Sequence, residues 1–180
     1  EQHEGTWLQW PHQFQFGIQY RNDLDATWLA MTGALVDGEK VHIIAYNQTE
    51  KERIISLLKS KNIFLDNIDF SIYKTDDVWV RDNGPIFVRD NNGKLLIQDW
   101  GFNAWGEKYD EWTGEQLGYN NCNAIPNKIA KDRGFDRIDL NGVLINEGGS
   151  FEMDGEGTLL ACKSSILNVN RNPNVSQQWI

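Results

Sequence analysis

Short apolar runs alternate along this chain with segments of helical periodicity, and this alternation constrains the fold more than any other feature. The apolar runs predict strands at residues 6–10, 41–46, 68–73, 85–88, 95–98, 143–145 and 159–163. Apolar residues at helical spacing predict helices at residues 23–36, 49–59 and 125–133. Strands and helices interleaved in this way favour a mixed α/β architecture. No linker-like composition divides the chain, so a single domain over residues 1–180 is expected.

Local signals predict where several elements begin and end. Thr49 and Glu52 form a capping-box pattern at the start of the second helix. Gly134 follows the third helix, where a left-handed residue commonly ends a helix. Residues 89–94, RDNNGK, offer a glycine for a positive φ and therefore predict a hairpin between the flanking strands.

The net charge limits the partners of the protein. Seventeen Lys and Arg stand against 26 Asp and Glu, which gives a formal net charge of −9 at pH 7. Nucleic acids and anionic membranes attract basic patches, so this balance argues against both and is compatible with a cationic ligand. No apolar run approaches the ~20 residues that a membrane-spanning helix needs.

The cysteines and histidines give few signs of a reactive or metal-binding centre. Cys122 and Cys162 cannot form a disulfide framework. Cys162 lies in a predicted apolar strand and is interpreted as inert packing, while Cys122 lies in a polar loop without an adjacent base. His3, His12 and His42 lack metal-ligand spacing, so no metal site is expected, and His42 is interpreted as a satisfied strand residue. The first residues lack a signal-peptide pattern, which favours a cytoplasmic location.

The segment 76–85, DDVWVRDNGP, combines three carboxylates, an arginine and a tryptophan directly after a predicted strand. Loops at strand ends often carry binding groups. A carboxylate binds a planar guanidinium through two hydrogen bonds, and a tryptophan face stacks on a cation. The alternative is internal, with Arg81 paired to Asp77 or Asp82 and the loop merely stiffened.

The segment 146–150, NEGGS, places Glu147 directly after an apolar run. Two glycines let the backbone approach a ligand closely or turn sharply. A carboxylate at this position can act as a general base or accept a cation. The alternative is an ordinary bulge that carries a solvated glutamate.

The segment 99–106, DWGFNAWG, interleaves three aromatic residues with two glycines. These aromatic rings could form a stacking platform for a ligand, or they could pack against a neighbouring element. Residues 154–157, DGEG, resemble the start of a calcium loop but lack its later ligands, so a tight turn is expected there.

Five motifs, taken together and in this order, resemble one family. They are ExTWLxWP at 4–11, DxWxRDxGP at 77–85, DWxFNxWG at 99–106, EGGS at 147–150 and LNxNRNP at 167–173. The pattern is similar to the agmatine deiminase branch of the bacterial-type peptidylarginine deiminase family, over nearly the whole chain.

The resemblance implies a fold, a reaction and a set of site residues. The fold would be the pentein α/β propeller, with five ββαβ blades, of which this chain would form a part. The reaction is hydrolysis of a guanidinium to a ureido group and ammonia without a cofactor. By resemblance, Asp82 and Glu147 are catalytic, guanidinium-binding carboxylates, Trp79 lines the guanidinium pocket and Trp105 forms a nearby wall. The partner would be a small cationic guanidino substrate, with agmatine favoured over peptidyl or free arginine, and a homo-oligomer is compatible with this reading.

The chain departs from the family pattern in one respect. The family has a His in a Gly-His-x-Asp motif after the NRNP stretch and a nucleophilic Cys near its C-terminus, and this chain matches neither. We therefore expect an N-terminal portion of a longer deiminase, without activity as the 180-residue chain alone. An incomplete propeller would also expose strand edges and apolar faces.

Two other functions are compatible with the sequence. One is a non-catalytic module that binds a cationic or carbohydrate ligand, which the eight tryptophans and the negative charge suggest. The other is a hydrolase that uses Asp82 and Glu147 as paired carboxylates, as in glycosidases.

Overall fold

The computed structural model of the protein describes residues 3–107 and 118–178. The chain divides into two compact units, Glu1–Val80 and Arg81–Ile180, and each mixes strands with helices. Among the described residues, none of the helices combines the length and the apolar character needed to cross a bilayer.

The first unit is a three-stranded parallel sheet with two helices in its connections. The strands lie in the order β1-β2-β3, so both connections are of the strand–helix–strand type. Its elements are β1 (Gly5–Gln9), α1 (Gln13–Leu35), β2 (Lys40–Ala45), α2 (Gln48–Ser60) and β3 (Ile68–Ile72).

The core of the first unit lies around the central strand β2. Val41, Ile43 and Ala45 are fully buried there. Trp10 and Trp28 pack into the same core. The indole N–H of Trp10 donates to Asp25 Oδ1 at 2.8 Å, and that of Trp28 donates to the Gln9 carbonyl at 2.7 Å. These two tryptophans therefore serve as buried structural anchors.

The three strands predicted for the first unit are confirmed, whereas the helix ends differ. Helix α1 begins at Gln13 rather than at residue 23, and Gly17 interrupts it with a φ of 68°. Helix α2 is capped by Asn47, whose side chain accepts a hydrogen bond from the Glu50 N–H. The predicted capping box of Thr49 and Glu52 is therefore wrong.

The second unit contains a three-stranded sheet and a separate hairpin. Strand β4 pairs with β5 antiparallel, β5 pairs with β6 parallel, and β7 pairs with β8 antiparallel. Helix α3 (Val80–Asn83) precedes this sheet. The other elements are β4 (Ile86–Arg89), β5 (Leu95–Gly101), α4 (Ala104–Glu107), α5 (Asn120–Asn123), α6 (Ile125–Arg133), β6 (Asp136–Ile145), a 3₁₀ turn (Gly148–Ser150), β7 (Phe151–Met153), β8 (Leu159–Ala161) and α7 (Lys163–Ile166).

Most local signals of the second unit are confirmed. The β4–β5 turn is held by Asp90 Oδ1, which accepts from two backbone N–H groups, and Gly93 has a positive φ. Helix α6 has the predicted bounds and ends at the left-handed Gly134. Asp154 organises the expected tight turn between β7 and β8. Strand β6 is longer than predicted, since it begins at Asp136, and β7 was not predicted.

The order β4, β5, α6, β6 is one ββαβ arrangement, the unit that the family resemblance implies. The structure supports a mixed α/β fold, as predicted. The five-bladed propeller stays a prediction for the longer protein.

Candidate functional site

Glu147 lies just beyond the end of β6 and is almost completely buried, with 2% of its surface exposed. Its Oε1 accepts a hydrogen bond from Arg171 Nε at 2.7 Å, and only 10% of the Arg171 side chain is exposed. The interpretation of this segment as a bulge with a solvated glutamate is therefore wrong. A buried carboxylate needs such a partner, because an unpaired buried charge is strongly destabilising.

The two glycines after Glu147 allow the backbone to lie against the segment that carries Asp82. A Cβ added at Gly149 would clash with Asp82 Oδ1, and one added at Gly148 would clash with the carbonyl oxygen of Arg81. At Gly148 the close atom belongs to the backbone, so only glycine fits there, whereas a side chain at position 149 would require the Asp82 carboxylate to move. The structure thus brings the predicted Asp82 carboxylate directly beside the loop of Glu147.

Arg81 does not make the internal pair that the sequence suggested. Among the described residues, its guanidinium contacts the carbonyl oxygen of Phe151 and the carboxylate of Glu152, rather than Asp77 or Asp82. This ion pair is exposed, so it contributes little to stability.

Trp105 lies in an unusual backbone turn. Ala104, Trp105 and Gly106 all have positive φ angles, of 55°, 57° and 96°. Left-handed conformations are uncommon for residues other than glycine and persist where surrounding contacts hold them. Asn103 supplies one such contact, because its Oδ1 accepts from the Gly106 N–H at 3.1 Å.

The ring of Trp105 is half-buried in an aromatic cluster. It meets Phe102 and Tyr119 edge to face, with ring centroids 5.2 Å and 5.4 Å apart. Of the two interpretations of segment 99–106, aromatic packing is thus confirmed. Whether one side of Trp105 also forms a wall for a ligand stays a prediction.

Trp79, the other predicted aromatic residue of the site, belongs to the first unit. It follows Val78 in the loop after β3, and 54% of its surface is exposed. Its role in a guanidinium pocket stays a prediction.

The two cysteines lie in different environments. Cys122 is buried in the cluster of Phe102 and Tyr119. Cys162 is exposed at the start of α7, so its interpretation as strand packing is wrong. A hydrogen bond from the Ser164 side chain, 3.0 Å from Sγ, lowers the pKa of the Cys162 thiol.

The environment of His42 and the grouping of potential metal ligands can be compared with the sequence predictions. His42 is buried and satisfied as predicted, since its ring nitrogens lie 3.0 Å from Glu4 and 2.9 Å from Asp69. Within residues 3–107 and 118–178, no three His, Cys, Asp or Glu side chains gather in a way that could hold a metal ion.

Sequence reasoning missed Arg171 and Asn172 as parts of this site. The LNxNRNP stretch served only to establish the resemblance. The feature that could have indicated their role is the order Asn-Arg-Asn-Pro at 170–173. Asparagine and proline are typical of a rigid turn, and such a turn can present the arginine as a cation.

Together these residues place carboxylates and an aromatic residue near the end of a β-sheet, as in a site for a planar cation. The family model "Porphyromonas-type peptidyl-arginine deiminase" matches residues 1–180. The chain therefore belongs to this family.

The chain is also similar to two curated proteins that are named agmatine deiminases. The agmatine deiminase of Pseudomonas aeruginosa (strain LESB58) is 34% identical over 180 residues, and that of Stutzerimonas stutzeri (strain A1501) is 32% identical over 182 residues. These matches cover 100% and 99% of this chain, but 46% of each relative. The chain thus spans about half the length of the relatives it matches.

A solved structure agrees with the sequence relatives. A cysteine-to-serine variant of the C. jejuni agmatine deiminase, with substrate bound, superposes with a TM-score of 0.77 at 28% identity. The match covers 97% of this chain and 47% of that protein. The mixed α/β fold of this chain is thus shared with an agmatine deiminase.

Proposed function

We propose that this chain supplies the guanidinium-binding carboxylates of an agmatine deiminase, and that the rest of the active site lies outside it. The observation that carries this proposal is the Glu147 carboxylate, which binds the guanidinium of Arg171 through Oε1 alone. Among the described residues, no hydrogen bond reaches its Oε2. One oxygen of a guanidinium-binding carboxylate is thus left for a ligand.

Asp82 is the second carboxylate of the proposed site. It lies against Gly149, next to Glu147 in the chain, and it is half-buried. A guanidinium presents N–H donors on several edges in one plane, so two carboxylates at different edges hold and orient it. The net charge of −9 also favours a cationic substrate at the encounter stage.

The reaction needs a nucleophile, because the delocalised guanidinium carbon is a poor electrophile. A cysteine thiolate attacks that carbon, a protonated group transfers its proton to the leaving nitrogen, and ammonia departs. Water then attacks the resulting thiouronium, which releases the ureido product and regenerates the thiolate. Support for a cysteine comes from the C. jejuni enzyme, whose substrate-bound structure carries serine in place of a cysteine.

We assign neither Cys122 nor Cys162 to this step. Cys122 is buried among aromatic rings, and the contacts of Cys162 are hydroxyl and backbone groups rather than a histidine. The nucleophile and the proton-transferring histidine would therefore come from the part of the domain that lies outside this chain. In the whole protein, the ββαβ arrangement would be one blade of a pentein propeller.

The substrate is assigned as agmatine, with Trp105 as a wall beside its guanidinium, while a pocket role for Trp79 rests on the family resemblance alone. The two curated relatives described above are agmatine deiminases, as is the substrate-bound C. jejuni structure, and this favours agmatine over peptidyl-arginine. The same relatives favour hydrolysis of a guanidinium over the glycosidase alternative, in which Asp82 and Glu147 would act as paired carboxylates.

The test is to express the complete reading frame that encodes these residues and to assay it with agmatine, arginine and an arginine peptide. We expect ammonia and N-carbamoylputrescine from agmatine, and no turnover by the 180-residue chain alone. Turnover of agmatine by the isolated chain would contradict the assignment of the nucleophile. Binding of agmatine without turnover by the complete protein would instead support a binding module.

A further inference from the structure

The motif LNxNRNP follows α7 and forms a compact turn that contacts both Glu147 and the turn that carries Trp105. We call residues 168–172 the asparagine clamp. Within it, Asn168 accepts from the backbone N–H groups of Arg171 and Asn172 through its carbonyl, at 3.0 Å and 2.8 Å, and from the N–H of Asn170 through its side chain, at 2.9 Å. The turn is therefore fixed by its own hydrogen bonds before it meets any other element.

Asn172 attaches the clamp to the end of β6. Its buried side-chain amide donates to the carbonyl of Ile145 at 2.8 Å and accepts from the Ile145 N–H at 2.9 Å. The same amide donates to the carbonyl of Ile166 at 2.8 Å. Ile145 thus has both backbone groups held, as a neighbouring strand would hold them, just before the chain reaches Glu147.

Arg171 then reaches the side chain of Glu147 and the turn of Trp105 at once. Its Nε donates to Glu147 Oε1, and its Nη1 lies beside Gly106. A Cβ at Gly106 would lie 3.3 Å from Arg171 Nη1 and 3.3 Å from Asn168 Oδ1. The arginine side chain therefore fills the space that the missing side chain of Gly106 leaves.

Asn103 forms hydrogen bonds to both the clamp and the turn that carries Trp105. Its Nδ2 donates to the Asn170 carbonyl at 2.9 Å, and its Oδ1 accepts from the Gly106 N–H. The left-handed turn that carries Trp105 is thus tied to the clamp by a side-chain amide as well as by packing. These contacts supply the support that consecutive residues with positive φ require.

We propose that Arg171 is a positioning residue for Glu147 and Trp105. The asparagines of the clamp hold the backbone of Arg171 in place. Arg171 fixes Oε1 of Glu147, so that Oε2 is presented to the guanidinium of the substrate. Arg171 does not itself contact the substrate. The proposal rests on the proposed function, because it assumes that Glu147 binds the guanidinium.

The chemistry of arginine explains why this position uses a guanidinium. Its planar fork makes one hydrogen bond from Nε while the Nη nitrogens lie in a fixed direction, here toward Gly106. A lysine carries the same charge as a single point on a flexible stem, and it cannot orient both partners together.

The test is a double-mutant cycle in the complete protein, with kcat and KM for agmatine measured per folded molecule. Arg171→Met is expected to lower kcat/KM about 10- to 100-fold, the cost of a small misplacement of a binding group. In a Glu147→Gln background, Arg171→Met is expected to lower it by less than about twofold, because the effect acts through Glu147. The matched control is Arg89→Met, which removes an exposed arginine at the β4–β5 turn and is expected to change nothing.

An equal loss from Arg171→Met in both backgrounds would overturn the positioning role. A Glu147→Gln variant with unchanged kcat/KM would instead overturn the proposed function of Glu147. Arg171→Lys is the second variant, for use if Arg171→Met does not fold, and it is expected to restore stability but not kcat/KM.

A readout independent of activity completes the test. A crystal structure of the variant protein is expected to show Glu147 rotated and the Trp105 turn displaced. Unchanged positions of Glu147 and Trp105 in that structure would overturn the proposal whatever the kinetics.

Discussion

Arg171 Nε and Glu147 Oε1 lie 2.7 Å apart in a buried ion pair that joins two segments distant in sequence. The pair connects the end of β6 to the turn after α7. In the protein interior, the desolvation cost of a charge is offset only when an oppositely charged partner is held close to it. The pair therefore fixes the position of one of the two carboxylates of the proposed site.

Removal of one partner of this pair is expected to be costly. Glu147→Ala leaves Arg171 buried without a counter-charge and is expected to lower the free energy of unfolding by about 3–5 kcal/mol. A double variant with Met at positions 147 and 171 is expected to recover much of this loss, because it leaves no unpaired charge. Urea denaturation measures both. A double variant no more stable than Glu147→Ala would show that the pair is not the source of the loss.

The cap of helix α2 offers a direct comparison of two residues. Asn47→Ala removes the side chain that accepts from the Glu50 N–H and is expected to destabilise the protein by about 1 kcal/mol. Thr49→Ala, at the exposed position that the sequence pattern favoured as the cap, is expected to have little effect. The free energy of unfolding of the two variants, measured by heat or urea, shows whether Asn47 or Thr49 caps the helix. A larger loss for Thr49→Ala would contradict the structure here.

The close approach of Gly149 to Asp82 predicts a loss of function from one methyl group. In Gly149→Ala the added Cβ must displace the Asp82 carboxylate, so kcat/KM of the complete protein for agmatine is expected to fall at least about tenfold. Gly142→Ala is the matched control, since no atom lies within 4 Å of its added Cβ. Equal activity of the two variants would indicate that the position of Asp82 does not matter.

The buried His12 predicts a dependence of stability on pH. Burial lowers the pKa of His12 below its ordinary value of 6.5, although a hydrogen bond to the Thr75 carbonyl and the charges of Glu50 and Asp76 oppose this shift. The unfolded chain then binds a proton more readily than the folded protein. The contribution of His12 is therefore present above about pH 6.5 and is lost as the pH falls toward the folded-state pKa.

His12→Gln measures this contribution, because glutamine keeps a donor for Thr75 but does not titrate. Between pH 7 and pH 5, the wild type is expected to lose more stability than His12→Gln in urea unfolding. Parallel pH profiles of the two proteins would contradict a lowered pKa of His12.

The fold was predictable from sequence where one local pattern dominated. Strand β2 is buried on both faces, so its apolar run is continuous and easy to recognise. The first part of α1 was missed because Gly17 interrupts the helical pattern. The first part of β6 was missed because half-buried and exposed residues alternate irregularly along it.

The site was predictable to the extent that its residues occur in short motifs. Asp82 and Glu147 were both identified in this way, and the structure brings the Glu147 loop against Asp82. The Arg171 partner could not be found by the same reasoning, because nothing local to Glu147 indicates which distant cation will reach it. Arg81 was an equally good candidate by composition, and it pairs with Glu152 instead.

The central claim is that Asp82 and Glu147 hold the guanidinium of the substrate. The most direct measurement is kcat/KM for agmatine of Asp82→Asn in the complete protein, per folded molecule, since asparagine keeps the size and removes the charge. We expect a loss of at least about 100-fold, the scale on which removal of one charged or hydrogen-bonding group lowers catalysis. A value within about threefold of the wild type would show that the Asp82 carboxylate does not hold the guanidinium.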